Sequence, residues 1–400
     1  MTAPATSRLG RDLWWLTLAL TLSYLAVAAP LPVIPLYVTG RLGLGSGAGG
    51  LAAGLPFITT IATRLYAGRF ADRWGGRRGM VRGLAVYIAA NLIGLASTIP
   101  ALPHLTAYGV LLAGRLLLGL GESLTLVGML GWGINVAGTA RAGRFIALMG
   151  MGMYAALALG APLGLGLDQR AGFAAVMLAG VLLPLAGLVM IRPLPPAVAH
   201  EDGRGGGRPG LWTMLRAIGR PGIVVGLQGV GIAAIGAFAA LDFVRHGWPR
   251  AWLGLTCFAA GFVLMRIVGG RLPDRLGGVP VAIVSLGFEA LGQLVLFLAP
   301  GPLAALAGAM LTGLGCSLVY PCMAIVVVRR VDPRLRATAM GSFSAFQDLA
   351  YATTGPLAGL LADRFGVPVA FLVGAVAAAS GFVAAVTMAR TGSSGDLRPA

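Results

Sequence analysis

The sequence predicts an all-α integral membrane protein, with twelve transmembrane helices arranged as two parallel six-helix repeats. Three observations carry that expectation. Of 400 residues, 57% are hydrophobic and only 11% are charged, whereas a soluble chain holds about 25% charged residues. Twelve apolar runs each come near the roughly 20 residues needed to cross a bilayer core of about 30 Å. An acid-plus-arginine loop recurs at the same place in each half.

The spans are read at 13–38, 49–71, 80–99, 105–136, 144–167, 171–191, 221–243, 250–272, 279–299, 302–328, 338–362 and 368–389. Each is expected to be helical, because a segment in lipid must satisfy its own backbone hydrogen bonds. The first starts at Leu13 without a small-residue cleavage site, so it reads as a retained helix rather than a leader. It carries Tyr24, then Pro30, Pro32 and Pro35 near its end, where missing N–H groups permit bending. The second runs into the loop Gly68-Arg69-Phe70-Ala71-Asp72-Arg73-Trp74-Gly75-Gly76-Arg77-Arg78. The third holds Asn91. The fourth, long enough to project into the cytoplasm, holds Arg115 and Glu122. The fifth contains Gly160-Ala161-Pro162-Leu163-Gly164, with Pro162 as its hinge.

After the sixth span comes the one long linker, 192–220, rich in Pro, Gly and charge, which suits a flexible connector. Its end, where Leu211, Trp212, Met214 and Leu215 alternate with Arg216 and Arg220, suits a short helix lying on the inner leaflet. The expected domains are therefore a bundle at 1–191, a cytoplasmic linker at 192–220 and a second bundle at 221–400. The seventh span holds Gln228. The eighth runs into the second loop, Gly270-Arg271-Leu272-Pro273-Asp274-Arg275-Leu276-Gly277-Gly278. Glu289 and Gln293 lie midway along the ninth. The eleventh carries Gln347, Asp348 and Tyr351, then a hinge at Gly355-Pro356. Cys257, Cys316 and Cys322 all fall in apolar spans, with neither disulfide nor metal spacing; each reads as a small buried residue.

The halves repeat in order. Arg64, Gly68, Asp72 and Arg73 match Arg266, Gly270, Asp274 and Arg275 at an offset of 202. Gly119-Leu120-Gly121-Glu122-Ser123-Leu124 matches Gly313-Leu314-Gly315-Cys316-Ser317-Leu318 at an offset of 194, and so does Pro162 with Pro356. Six spans per half give both copies one orientation, as parallel repeats about an axis along the membrane normal.

The net charge of +17 comes with thirty basic residues, all arginine. A basic balance can indicate nucleic acid, but its distribution here indicates topology. Five arginines (Arg41, Arg170, Arg245, Arg250, Arg364) fall in the loops on one side, Arg115 lies within a span, and the other 24 fall on the opposite side. By the positive-inside rule both termini are cytoplasmic. No nucleic-acid partner is expected.

The Gly68–Arg78 loop resembles the signature between the second and third helices of the major facilitator superfamily, and the resemblance runs along essentially the whole chain. Phe70 stands where that signature usually has Leu, and Gly76 where a basic residue often sits. The second copy lacks the trailing basic pair. Order and local wording are similar to the uncharacterised bacterial YhhS/YfcJ-like branch, often labelled arabinose-efflux-like. The resemblance implies two six-helix bundles around a central cavity and alternating access by rocking. It also implies that Asp72 docks on the start of the eleventh helix, with Arg73, Arg77 and Arg78 completing a latch, and that Arg115 occupies a position linked to proton coupling. Asp274 and Arg275 form the second, weaker copy. The fifth-span stretch partly resembles the Gly-Pro motif of drug antiporters, with Ala161 in place of Gly.

Elementary electrostatics reaches the same residues. A carboxylate is stabilised at a helix N-terminus, where N–H groups lack partners. A guanidinium near mid-membrane needs a carboxylate, carbonyls or water. Glu122 follows Arg115 by seven residues, two turns and about 10 Å along the same face. Glu122 and Asp348 are the candidate proton carriers, and the alternative for each is a fixed structural role. Glu289 is expected to find a partner on a neighbouring helix, with a proton role as the alternative. Tyr24, Gln228, Gln347 and Tyr351 are candidate substrate-cavity residues.

The expectation is a secondary transporter of the bacterial inner membrane that moves a small-molecule substrate. It would act as a monomer in contact with membrane lipid and protons, exporting by antiport. Proton-coupled uptake and a non-transporting sensor are the alternatives. No phosphate-cradling loop, clustered catalytic set or metal-ligand spacing is present in the sequence, so no enzyme activity, cofactor or metal is expected.

Overall fold

The computed structural model describes residues 5–138, 142–194, 211–331 and 336–392. Its regular elements are helices: α1 (Ala5–Ala28), α2 (Val33–Leu36), α3 (Ser46–Trp74), α4 (Gly76–Ala96), α5 (His104–Ala137), α6 (Ala142–Ile191), α7 (Leu211–Arg245), α8 (Trp252–Gly269), α9 (Leu272–Leu276), α10 (Gly278–Phe297), α11 (Pro302–Arg330), α12 (Arg336–Phe365) and α13 (Val369–Gly392). A π-helical turn, Tyr37–Arg41, follows α2.

Among the described residues nine helices are long and apolar enough to cross a membrane. One of these, Leu148–Ile191, holds two limbs, because Gly172 in the middle of α6 takes a left-handed φ of 74°. The two long helices outside the nine, α3 and α12, are diluted by Gly, Ser and Thr. With the two limbs of α6 counted separately, the architecture is the twelve-helix one that the sequence predicts.

Two elements differ from the sequence expectation. The first span is not one helix: α1 ends at Ala28, and Pro30, Pro32 and Pro35 lie in the turn and the short α2 that follow. The proposed inner-leaflet helix at 211–220 is not separate either, since α7 runs without interruption from Leu211 through Pro221 to Arg245. Pro221 lies inside this helix, which continues on either side of it. The rest of the linker, 195–210, lies outside the described residues.

The chain divides into two compact units, Met1–Leu44 with Leu55–Arg204, and Gly45–Gly54 with Gly205–Ala400. In the first, α4 packs along α5 and α1 along α6; in the second, α10 packs along α11 and α13, α8 packs against α11, and α7 packs on α12 and α13. The duplication reaches atomic detail. A methyl added at Gly119 would overlap the Pro56 carbonyl, and one at Gly313 the Phe258 carbonyl. A methyl at Gly114 would meet the Ala90 carbonyl oxygen, and one at Gly308 that of Gly292. Gly75 and Gly277, at φ 87° and 89°, turn the chain identically after the two charged loops. All these pairs obey the offsets of 202 and 194. Glycine at these crossings lets helix backbones touch, the usual way membrane helices gain packing energy.

Candidate functional site

In the first unit the polar residues converge on α5. Arg115 is 5% exposed and Glu122 3%. The carboxylate of Glu122 is the charge that the Arg115 guanidinium feels, as their two-turn spacing requires. Tyr24 of α1 donates its hydroxyl to Oε1 of Glu122 at 3.3 Å, and Thr60 of α3 reaches Oε2 at 3.3 Å. Both are long for hydroxyl hydrogen bonds, which centre near 2.7–2.8 Å. The Thr60 hydroxyl also lies 3.0 Å from the Pro56 carbonyl and 3.2 Å from that of Gly119, so its one proton is shared among three acceptors. Tyr87 of α4 faces Glu122 as well, and its buried hydroxyl has no hydrogen-bond partner among the described residues. The site is thus a carboxylate, a guanidinium and three hydroxyls on four helices, all buried.

In the second unit the polar groups spread over four helices. Gln347 of α12 donates to Oε1 of Gln228 on α7 at 3.3 Å. Gln228 is buried, and Cys316 of α11 lies beside it. Cys316 lies in turn against Glu289 of α10. Gln293, one turn beyond Glu289, donates to the Gly231 carbonyl at 2.9 Å. Cys316 is therefore buried, as expected, but in a polar setting. Asp348 and Tyr351 are half-buried on α12, flanking Gln347 in sequence. Asn91 sits inside the first unit, donating to the Tyr87 carbonyl at 2.9 Å and packed on Gly180.

The charged loops are solvated. Asp72, Asp274 and Arg275 are exposed. Among the described residues Arg73, Arg77 and Arg78 pair with no carboxylate. They lie over indole rings: Arg73 over Trp74 at 5.1 Å, Arg78 over the same ring at 5.9 Å, and Arg77 over Trp132 at 5.7 Å. Arg77 also donates to the Arg192 carbonyl at 3.0 Å. Cation–π contacts of this kind contribute about 0.5–1 kcal/mol each at exposed sites. The eleventh span, whose start is the expected dock for Asp72, follows residues 332–335, which lie outside the described residues. A methyl at Gly68 would meet nothing within 4 Å, whereas one at Gly270 would meet the Arg266 carbonyl oxygen at 2.6 Å.

Two features were missed in the sequence. Asp363, near the end of α12, accepts the backbone N–H groups of Ser46 and Gly47, capping the first turn of α3, whose segment Gly45–Gly54 groups with the second unit. Next to it, Gly355 and Gly50 touch backbone to backbone, and a methyl on either would overlap the other's carbonyl. Pro356 follows Gly355 inside α12, and Pro162 lies inside α6. Asp242 is buried near the end of α7, its carboxylate 3.3 Å from Nδ1 of His246.

The family model described as Major Facilitator Superfamily matches residues 16–254 and 230–399. An uncharacterised MFS-type transporter of Salmonella typhimurium is 43% identical over 372 residues, covering 92% of this chain and 94% of that relative. Another, from Burkholderia mallei, is 37% identical over 359 residues, covering 90% and 87%. Among solved structures, a mutant of the nucleoside transporter NupG superposes with a TM-score of 0.75 at 14% identity, covering 94% of this chain and 99% of that one. A bacterial homologue of the human lysosomal transporter Spinster, inward-facing and occupied, gives 0.74 at 15% over the whole of both chains. The xylose transporter XylE of E. coli gives 0.72 at 14%, covering 94% and 95%. At these identities the structural matches establish the shared fold.

Proposed function

The chain belongs to the Major Facilitator Superfamily, a family of transporters and not of enzymes, and from that premise we propose that it exports a small solute by proton antiport. The observation that carries this reading is the buried Arg115–Glu122 pair, whose carboxylate accepts 3.3 Å hydrogen bonds from Tyr24 and Thr60. An ionisable pair inside a membrane span is costly and marks an ion path. Here Glu122 takes up and releases the coupled proton, and Arg115 holds the site's charge balanced when the proton leaves. Asp348 is the second candidate carrier, and Tyr24, Gln228, Gln347 and Tyr351 are the polar groups offered to the solute. The few polar groups among apolar helices suit a neutral or amphipathic solute. The arginine distribution supports an inner-membrane orientation with both termini in the cytoplasm, and wording shared with the YhhS/YfcJ-like branch supports placement there. The exposed Asp72 and its arginines are the cytoplasmic latch, and the chain acts as a monomer.

The test is the pH change when a solute is added to proteoliposomes of known orientation carrying an imposed proton gradient and a lumenal pH dye. Antiport alkalinises the compartment that the solute enters. Acidification of that compartment would replace export by proton-coupled uptake, and solute flux without any pH change would remove proton coupling altogether.

A further inference from the structure

Superposing the two repeats through their offsets puts an acid at one place in both units, but on different helices. The Ser123 hydroxyl donates to the Thr60 carbonyl at 2.7 Å, and its counterpart Ser317 donates to the Phe262 carbonyl at 2.8 Å. Asn91 packs on Gly180 as Gln293 packs on Gly374. A methyl at Gly121 would meet Tyr87 and the Gly83 carbonyl oxygen; one at Gly315 would meet the Glu289 backbone and the Ser285 carbonyl oxygen. In this frame Glu289 takes the place of Tyr87, and Cys316 takes the place of Glu122. The carboxyl group has moved across the interface, from the fourth helix of the first repeat to the third helix of the second, and the position facing it has become a thiol.

The surroundings of Glu289 differ sharply from those of Glu122. Its residue is 0% exposed, and the side-chain hydrogen bond described for its carboxyl group comes from the neutral Cys316 thiol. Cys316 is the one titratable group described beside it, from α11. From α7, the facing groups are the neutral amide of Gln228 and the backbone of Gly231, whose missing side chain leaves room for Oε1. No cation is described next to it. An ionised carboxylate stranded there would pay the full cost of an unpaired charge away from water. A neutral carboxylic acid would not.

We propose that Glu289 is a proton-exchange site of the second unit, reached through Cys316 and Gln228 from Gln347 on α12. This rests on the proton-coupled reading above and assigns a second site to it. When the transporter changes conformation, water entering along Gln347 and Gln228 takes the proton from the Glu289 carboxylic acid and leaves a hydrated carboxylate. The reverse step returns the proton and expels the water. The unpartnered Nε2 of buried Gln228 is a donor left over for that water or for the carboxylate.

Infrared difference spectroscopy of the full chain in lipid nanodiscs, with pH steps and exchange into D2O as the only probes, tests this without a known solute. The carbonyl stretch of a protonated carboxylic acid that shifts in D2O is expected in wild type and in Glu122→Gln, and is lost in Glu289→Gln. Retention of every such band in Glu289→Gln overturns the proposal, as does a band that neither titrates nor exchanges. Glu289→Asp, which keeps the acid, serves where the Gln variant does not fold, and should return the band at a shifted frequency. The dye assay on wild type decides the coupling reading independently: loss of its solute-driven pH change sinks that reading, while the infrared band still reports on Glu289.

Discussion

Tyr24 donates its hydroxyl to Oε1 of Glu122 at 3.3 Å, joining α1 to α5 across 98 positions of sequence. The bond is too long to be strong, so Tyr24 orients the carboxylate more than it stabilises the fold. Tyr24→Phe is expected to change thermal stability by less than about 1 kcal/mol, at or below the net worth of an ordinary hydrogen bond. Its effect should appear in the pH profile of transport. An unaltered profile would remove Tyr24 from the proton site.

Asp363 satisfies two backbone N–H groups at the start of α3. Loss of a helix N-cap typically costs about 0.5–2 kcal/mol. Asp363→Ala should therefore lower the melting temperature in detergent, with Asp363→Asn, which keeps one acceptor, falling between it and wild type. Equal melting of all three proteins would show that the cap contributes nothing.

The glycines separate packing from mechanism. Gly355→Ala forces a methyl into the Gly50 carbonyl, and overpacking of this kind costs about 1–3 kcal/mol. Gly68→Ala meets open space inside α3, where Ala is favoured over Gly by about 0.5–1 kcal/mol. The first variant is expected to melt lower and the second to melt equal or higher. Should Gly68→Ala also transport poorly while melting higher, the need for glycine belongs to another conformation of the loop.

Arg77 lies over Trp132 and reaches the Arg192 carbonyl. Arg77→Lys keeps the charge and loses the planar stacking and fork geometry. A loss of about 0.5–1 kcal/mol is expected, measured by thermal unfolding; Trp132→Leu also empties a fully buried site and should cost several-fold more, so a double-mutant cycle isolates the shared increment. Full additivity would mean the two do not interact.

The sequence made the spans, the repeat and the Arg115–Glu122 pair readable, because each follows from local spacing: apolar run length, a fixed offset, two helical turns. What it hid was set by contacts between distant residues. Nothing near Tyr24 or Thr60 announces that both meet Glu122. Nothing in the sequence marks Asp363, since its partners are backbone N–H groups of α3 and leave no side-chain signature. Glu289 was expected to have a partner on a neighbouring helix and has one in the Cys316 thiol of α11, though nothing in the local sequence names that thiol. The signal that places it was present in the offset of 202, which pairs it with Tyr87 and Gln293 with Asn91. The split of the first span after Ala28 was foreshadowed by its three prolines, while the continuity of α7 through Pro221 was not.

The most direct test of proton coupling at Glu122 compares two fluxes of one solute in proteoliposomes, for a solute chosen because it raises the melting temperature of the purified protein. Glu122→Gln should retain solute-for-solute exchange, which needs no net proton movement, and lose uptake driven by an imposed pH gradient. If the variant keeps gradient-driven uptake at the wild-type rate, Glu122 does not carry the proton and the account of the site is wrong.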